Sequence, residues 1–439
     1  MKRIWLVLLS LGLVMAFSVS ALAVDVKFSG QYYVQGMYLD KTDVLDASDG
    51  NDPSTAFFFQ RFRLGTDFIV SDCLKLVTRV DIMERTWEQD TDAYTGGTDQ
   101  RNVDWDVAYI DYTSPIGKFV VGYMEDYTWG TIWGNRATGP TAGQIKYIVP
   151  IPKTPVMMVF AYAKEEENNL NVQGGMPAED RDFDSYRVGP IVNFKSDAAA
   201  GEAGILFVYN NVNQYRGLPL SPTTAPFKQD MYVIQPYFKA KFGPVAMQGE
   251  VNYAFGERDF ETNLVDDKDI NSWTAWLDAD ANFGMFSVGG SVAYVQGQDP
   301  AETDEINNAL TGGRDWNPCL IMYNNNMFYT WIGAMPGAVE NVNGEITNAI
   351  FGQVRGSVTP IPQLTAGMSL SYARADEDLG GDSEKGFEVD LTGTYKITNN
   401  LSYMLGVGYL FTGDFYKGPA GTGDIEDDYV VLNKLTLSF

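Results

Sequence analysis

Apolar and polar residues alternate along most of the chain from residue 24 onwards. The last segment places its apolar residues on one strand face and polar residues on the other: Tyr429, Val431, Leu435, Leu437 and Phe439 against Lys434, Thr436 and Ser438. Side chains of a β-strand point alternately to its two faces, so this period of two predicts strands. One face suits lipid and the other suits water. No helical segment or change of composition interrupts the pattern, which indicates one domain over residues 24–439.

The connections between the predicted strands alternate between two lengths. Residues 71–73 and 243–244 form short turns, whereas residues 88–101 and 297–345 form long polar connections. In bacterial outer-membrane barrels, short turns face the periplasm and long loops face the outside. The sequence therefore predicts an all-β fold, a transmembrane antiparallel up-and-down β-barrel of about 18 strands, with about 16 as the alternative. A barrel of this size encloses an aqueous channel unless loops or a plug fill it.

The first 23 residues have a different pattern. Lys2 and Arg3 precede an apolar run over residues 4–19, which is followed by Ala21, Leu22 and Ala23. This order is typical of a cleaved secretory signal peptide, and we predict one over residues 1–23. Later stretches fall short of the roughly 18 continuous apolar residues that a spanning helix needs.

Composition excludes several classes of function. The chain has 57 acidic and 31 basic residues, a net charge of −26, and this balance disfavours nucleic-acid binding. It has no histidine, which excludes histidine-dependent catalysis, histidine metal ligands and c-type haem attachment. We therefore expect no enzymatic activity and no cofactor. Cys73 falls in a short turn and Cys319 in a long connection, roughly 25 Å apart across the apolar band, so we expect two free thiols.

Charged residues within the predicted strands indicate which face is inward. An Arg or Lys that faces lipid at mid-membrane costs about 2–4 kcal/mol, so strand charges are expected to line the pore. These are the predicted pore-lining residues: Arg61, Arg63, Lys75, Arg79, Asp81, Arg85, Asp104, Asp106, Glu250, Asp278, Asp280, Arg355, Glu388 and Asp390. The basic cluster on the second and third strands could create a transverse field that sorts solutes. Alternatively, these residues pair with acidic neighbours and only keep the wall soluble.

Two long connections are rich in aromatic residues. The first supplies the candidate constriction loop residues Asp126, Tyr127, Trp129, Trp133 and Arg136. Its rings could fold inward and narrow the pore, or belong to the interfacial aromatic girdle. The second, residues 297–345, could be a plug, a lid or a short strand pair, and we favour capping of the lumen over an oligomer contact. Acidic runs crowd the other long connections, and a solvated acidic face explains them without a metal site.

The sequence as a whole resembles Gram-negative outer-membrane porins. The resemblance rests on the leader, the alternating strands, the early basic residues, the aromatic third loop and the terminal Phe439. The run Phe57-Phe-Phe-Gln-Arg-Phe-Arg-Leu64, with Gly117-Lys-Phe-Val-Val-Gly122, is similar to the alginate-export type of 18-stranded channel.

This resemblance implies an integral outer-membrane protein in contact with membrane lipid and lipopolysaccharide. It also implies that the barrel assembly machinery reads Phe439 as an assembly signal, and it leaves a homo-oligomer open. The implied function is a water-filled channel for passive diffusion of small polar or charged solutes. The alternative is a barrel that sheathes or receives a protein partner, for example a multihaem cytochrome.

Overall fold

The computed structural model describes residues 24–46, 53–88, 103–126, 129–135, 141–168, 180–217, 225–379, 381–419 and 424–439. Within these ranges the chain forms nineteen strands: β1 Asp25–Leu39, β2 Thr55–Ser71, β3 Leu74–Thr86, β4 Val103–Ser114, β5 Gly117–Glu125, β6 Thr141–Pro150, β7 Val156–Glu166, β8 Phe183–Lys195, β9 Ala199–Val212, β10 Phe227–Phe242, β11 Val245–Phe260, β12 Lys268–Phe283, β13 Phe286–Val295, β14 Glu305–Ile306, β15 Ala349–Ile361, β16 Leu364–Arg374, β17 Glu384–Lys396, β18 Leu401–Thr412 and β19 Asp428–Ser438. The two short helices in these ranges are Met327–Trp331 and Asp414–Lys417.

Eighteen of these strands form one closed antiparallel barrel. Each pairs with its neighbours in chain order, and β13 pairs directly with β15 because the two-residue strand β14 pairs in parallel with the start of β12 instead. The barrel closes between β1 and β19, from Gln31 opposite Ser438 to Leu39 opposite Val430. This closure removes the exposed sheet edges that an open sheet would have. The predicted up-and-down barrel of about 18 strands is confirmed.

Connections at the two ends of the barrel differ in length, as the sequence predicted. Two residues join β10 to β11, and two join β12 to β13, at what we call the short-turn end. The connections at the other end, the long-loop end, include residues 296–348 between β13 and β15. The predicted signal peptide lies outside the described residues and stays a prediction.

The outer surface of the wall carries an apolar belt. Ile145, Val292, Val354 and Leu405 are each more than half exposed there, although each lies in a strand. Near the long-loop end, five rings contact one another across neighbouring strands with centroids 4.9–5.9 Å apart: Tyr162, Tyr186, Tyr209, Tyr232 and Phe255. An apolar band bordered by aromatic rings is the lipid-facing surface of a transmembrane barrel. No helix in the described ranges is long and apolar enough to span a membrane.

Residues 296–348, the plug segment, fold into the barrel and form its largest apolar core. Trp316, Ile321, Met322 and Met327 of this segment are at most 4 % exposed. They pack with inward-facing residues from strands on both sides of the closure: Tyr33 and Met37 of β1, Phe59 of β2, Trp276 of β12, Phe351 of β15, Leu410 of β18 and Leu432 of β19. Of the alternatives left open by the sequence, the structure thus matches a plug.

Phe439 lies at the end of the closing strand, on the outer surface. Its backbone N–H donates to the Gly30 carbonyl at 3.0 Å, and the Gly30 N–H donates to the Phe439 carbonyl at 2.8 Å. The ring covers Gly30 so closely that a Cβ atom there would lie 2.5 Å from it. Glycine at position 30 therefore makes room for the terminal ring. The role of Phe439 as an assembly signal stays a prediction.

Candidate functional site

Two cavities lie inside the barrel beside the plug segment. The first has a volume of about 360 Å³ and reaches toward the short-turn end, where Ile148, Ile191 and Lys239 line it. The second has a volume of about 300 Å³ and reaches toward the long-loop end, where Phe183 and Met231 line it. The plug segment forms part of the second cavity through Leu310, Thr311 and Gly313. These cavities are the candidate path through the barrel.

A buried ion cluster lies where the two cavities meet. Arg187 of β8 lines the first cavity, whereas Asp126 and Glu165 line the second. The Arg187 guanidinium contacts Asp126 Oδ1 and Glu165 Oε1, each at 2.6 Å. Its Nε also donates to Ser185 Oγ at 3.0 Å, and its side chain is only 3 % exposed. These three residues thus contribute to the linings of both cavities, and we call them the Arg187 cluster.

The first cavity combines charged groups with apolar and aromatic walls. Lys146 and Arg187 supply positive charge, and Glu125 supplies negative charge. Lys239 and Glu202 form an ion pair at 3.2 Å, and the Tyr237 hydroxyl donates to the same carboxylate at 2.8 Å. The remaining lining is largely apolar: Val120, Met124, Trp129, Val159, Ala161 and Leu206 are among its residues. Such a lining suits small solutes that carry both a charge and an apolar part.

Residues 129–135 fold into the barrel, and Glu250 of β11 holds this segment there. The Glu250 carboxylate accepts hydrogen bonds from the Thr131 N–H at 3.0 Å and the Thr131 hydroxyl at 2.8 Å. A Cβ atom at Gly130 or Gly134 would lie 2.8 Å or less from the same carboxylate. A side chain at either position would force the Glu250 carboxylate to shift, and the positive φ of 91° at Gly130 also favours glycine there. Tyr127 and Arg136 lie outside the described residues.

Trp133 anchors the same segment to the plug segment and the wall. Its ring is fully buried, stacks on Trp276 at 6.0 Å and meets the edge of Trp316 at 5.1 Å. Its indole N–H donates to Thr274 Oγ1 at 3.1 Å. Trp129, by contrast, lines the first cavity. The structure thus places these two rings inside the barrel rather than in the outer aromatic girdle.

The predicted basic cluster forms a ladder of ion pairs on the inner face of β2 to β5. Arg63 binds Asp81 through two hydrogen bonds of 2.7 and 2.6 Å and lies 3.1 Å from Asp106. Arg79 binds Asp106 at 2.5 Å and also pairs with Glu125. The same face carries two further contacts: Arg61 with Glu84 at 3.2 Å and Lys75 with Asp67 at 2.9 Å. Pairing with acidic neighbours, one of the two sequence-based alternatives, therefore describes these residues.

A β-bulge corrects the prediction for Arg85. Met83 has a φ of 51°, and the register of β2 with β3 shifts between the Phe62–Ile82 and Gln60–Arg85 pairs. The alternation of faces reverses there, so Glu84 is the residue that reaches Arg61 inside the barrel. Arg85 instead lies opposite Gln60. On the outer face, Gln60 Oε1 accepts a hydrogen bond from the Trp87 indole N–H at 2.8 Å. Arg85 therefore does not line the lumen.

A second bulge changes the pattern of β4. The register of β3 with β4 shifts between the Arg79–Val107 and Val80–Trp105 pairs, which leaves Asp106 as the extra residue. Val107 is consequently 3 % exposed, although simple alternation places it on the same face as Trp105, which is 64 % exposed. Asp104 is exposed near the long-loop end of β4.

The remaining predicted residues face the plug segment or its border. Arg355 of β15 clamps two carboxylates of β12, with contacts of 2.8 Å to Asp278 and 2.6 Å to Asp280. Glu388 and Asp390 of β17 point into the barrel, but the plug segment covers them and leaves 0 % and 3 % exposed. They contact protein instead of an open lumen. The strand pattern predicts the face on which these residues lie, but it does not predict what covers that face.

Arg187 is a residue of the site that was not predicted from the sequence. It lies between the outward-facing Tyr186 and Val188, so the rule for strand charges places it on the inner face.

The two cysteines are both free thiols, as predicted, with Cys73 exposed and Cys319 buried. Burial raises the pKa of the Cys319 thiol, and the nearby carboxylates of Glu388 and Asp390 raise it further.

No protein-family model and no curated protein matches the chain. Among solved structures, the chain is similar to the outer membrane protein OpdK of Pseudomonas aeruginosa, with a TM-score of 0.52, 11% identity, and coverage of 94% of this chain and 99% of that chain. It is similar to OccK9 (OpdG) of the same organism, with a TM-score of 0.54, 13% identity, and coverage of 94% and 99%. It is also similar to P. aeruginosa OccK2 (OpdF) in complex with glucuronate, with a TM-score of 0.52, 10% identity, and coverage of 94% of this chain and 97% of that chain. The chain shares its fold with these proteins.

Proposed function

We propose that the protein is an integral outer-membrane channel for passive diffusion of small polar or charged solutes, without enzymatic activity. One observation carries this proposal: two interior cavities lie beside the plug segment, and the buried Arg187 cluster contributes to the linings of both. The apolar outer belt gives the protein its place in a membrane. Contact with lipid and lipopolysaccharide, and insertion by the barrel assembly machinery, belong to the same proposal.

Small organic anions are the solutes that the first cavity suits best. Lys146 and Arg187 offer positive charge beside the apolar and aromatic lining. The related folds support this choice, because solved structures contain OpdK with vanillate and OccK2 with glucuronate. Both molecules carry a carboxylate, which a guanidinium binds through charge-assisted hydrogen bonds. We therefore propose that passing carboxylates exchange with Asp126 and Glu165 at Arg187.

A sheath around a protein partner is less well supported. A threaded partner such as a multihaem cytochrome needs a wide empty lumen, whereas the plug segment occupies the interior against β12 to β19 and β1. Its contacts include fully buried residues such as Ile321 and Met322, which a partner would have to displace. The similarity in fold to proteins solved with the small molecules vanillate and glucuronate also favours a channel.

Single-channel recording in planar lipid bilayers tests the proposal. We expect discrete conductance steps from the purified, folded protein, and a reduction of the ionic current when vanillate or glucuronate is added. Liposome swelling with an organic acid and an uncharged sugar of similar size measures solute passage directly. A folded barrel that gives neither conductance nor swelling would contradict the channel. Copurification of a haem protein with such a silent barrel would favour the sheath instead.

A further inference from the structure

Three potential ligand groups meet where the plug segment touches the wall. Cys319 belongs to the plug segment, and Glu388 and Asp390 belong to β17. The Cys319 Sγ atom and one carboxylate oxygen from each acid all lie within 4.8 Å of one another. The three residues are 4 %, 0 % and 3 % exposed. They form a closed cluster that is separate from the two cavities and the Arg187 cluster.

The charge of this cluster is not balanced by a basic side chain. Among the described residues, no Lys or Arg forms an ion pair with Glu388 or Asp390, whereas Asp278 and Asp280, the inward acids of β12, pair with Arg355. A buried carboxylate requires a compensating charge, a bound cation or a proton. The two acids also lie on one strand, two residues apart, so both side chains point to the same place.

Glu388 and Asp390 differ in how their oxygen atoms are satisfied. Both Glu388 oxygens accept backbone N–H groups of the plug segment, from Ile321 and Met322, each at 2.7 Å. Asp390 Oδ2 accepts the Ser369 hydroxyl at 3.1 Å. Asp390 Oδ1 is buried and has no hydrogen-bond partner within the described part of the chain. The neighbouring Glu388 carboxyl can share a proton with Asp390, and a bound cation is the alternative that satisfies both carboxylates.

Neighbouring groups are arranged as an outer shell around the cluster. Gln353 Nε2 donates to the Ser371 hydroxyl oxygen at 3.0 Å and to the Pro318 carbonyl at 2.7 Å. Because that amide already donates to Ser371, the Ser371 hydroxyl proton can be directed to the Cys319 sulfur beside it. Hydrogen bonds of this kind orient metal ligands. Gly408 leaves space for the Asp390 carboxylate, since a Cβ atom at position 408 would lie 2.7 Å from Asp390 Oδ1.

We propose that Cys319, Glu388 and Asp390 bind one divalent cation of the zinc type. A thiolate with two carboxylates suits borderline-soft Zn²⁺, whereas Ca²⁺ and Mg²⁺ take oxygen ligands. Zinc in a tetrahedral site holds its ligands roughly 3.3–3.8 Å apart, so side-chain shifts of about 1 Å close this set on the ion. The ion fastens the plug segment to β17, because one ligand comes from the plug and two from the wall.

Metal analysis of the full mature chain in detergent tests the proposal. The protein is stripped with a chelator, loaded with Zn²⁺ or Co²⁺, desalted and measured by elemental mass spectrometry. We expect one tightly held ion per chain and, with Co²⁺, an ultraviolet charge-transfer band from the thiolate. Zn²⁺ should also raise the temperature at which the barrel unfolds, because the ion binds the folded state. Absence of both a retained ion and the band in the folded wild-type protein overturns the proposal.

Substitutions then assign the ion to this cluster. Cys319→Ser should abolish the Co²⁺ band, Asp390→Asn should release the ion on desalting, and Cys73→Ser should keep both properties. Ser371→Ala should weaken binding by about 10–100-fold, the usual effect of an outer-shell partner. Retention of one ion by both Cys319→Ser and Asp390→Asn would place the metal elsewhere, as in the acidic loops, and overturn the assignment. A protonated-carboxyl infrared signal in the wild-type protein that Zn²⁺ does not remove would show that a proton occupies the site instead.

Discussion

Inward charges on the two sides of the lumen follow the same strand pattern but have different roles. On β2 to β5, inward charges form a ladder in which Arg63 and Arg79 share Asp106, and their side chains remain 17–23 % exposed. On β17, inward acids such as Glu388 are fully covered by the plug segment. The first set keeps a wall polar beside the candidate path, and the second binds a segment that closes the other side. An inward charge can therefore serve either passage or attachment.

The largest effect is expected from removal of the plug segment. Val295 and Ala349 lie opposite each other in the paired strands β13 and β15, so a short Gly-Ser turn can replace residues 299–345 without stretching the wall. A barrel of 18 strands without a plug encloses a wide aqueous channel. We expect single-channel conductance to rise several-fold.

A matched control replaces the exposed connection 262–266, between β11 and β12, with the same linker. That change should leave the conductance close to the wild-type value. Equal conductance of the plug deletion and the wild-type protein would show that the plug segment does not limit the path, and the contrast between the two sides of the lumen would fail.

The wall of the barrel was predictable from the sequence, and its filling was not. A charge facing lipid is costly, so alternation alone assigned Arg63, Arg79 and Glu388 to the inner face. Alternation cannot report an inserted residue, which is why the bulge at Met83 reversed the face of Arg85. It also carries no information on long-range packing, such as Trp133 between Trp276 and Trp316. The aromatic content of residues 297–345 indicated burial without specifying which strands provide it.

A second prediction concerns a substitution that weakens the attachment of the plug segment and leaves the segment in place. Glu388→Ala leaves the buried N–H groups of Ile321 and Met322 without acceptors, at about 1–3 kcal/mol each. The plug segment should then open more often and expose Cys319. In a Cys73→Ser background with chelator present, we expect maleimide to label Cys319 at least about tenfold faster, since 1.4 kcal/mol is a factor of ten.

In the wild-type protein the plug segment covers this thiol, which is 4 % exposed, so its labelling should stay slow. Glu384→Ala provides the control, since Glu384 lies on the same strand and is exposed. If Glu384→Ala and Glu388→Ala accelerate labelling equally, the Glu388 carboxylate is not the attachment point of the plug segment.

A third prediction concerns the charge at the junction of the cavities. Arg187→Gln removes the cation that contacts Asp126 and Glu165 and leaves both acids beside the path. Local potential in a narrow site controls ion preference, so permeation should shift toward cations. We expect the ratio of anion to cation permeability, from reversal potentials in a salt gradient, to fall several-fold.

Lys228→Gln is the control for this charge change, because Lys228 pairs with Asp259 near the long-loop end and its side chain is 46% exposed. It removes the same charge where salt screens it. A reversal potential that responds equally to both substitutions would indicate a diffuse field of the barrel instead of a selective junction. An unchanged potential in Arg187→Gln would place the path away from the cluster.

The smallest effect is expected at a lysine that merely keeps the wall polar. Lys75 pairs with Asp67 at 2.9 Å, and both side chains are about one-third exposed, so Lys75→Gln should change the free energy of unfolding by less than about 1 kcal/mol. Lys385 also pairs with a carboxylate, Glu340 of the plug segment, but it is fully buried. Lys385→Gln leaves that carboxylate without its cationic partner and should cost about 3–5 kcal/mol. Urea unfolding of the two variants in the same lipid vesicles compares them directly, and similar losses would mean that attachment and wall polarity are not separate roles.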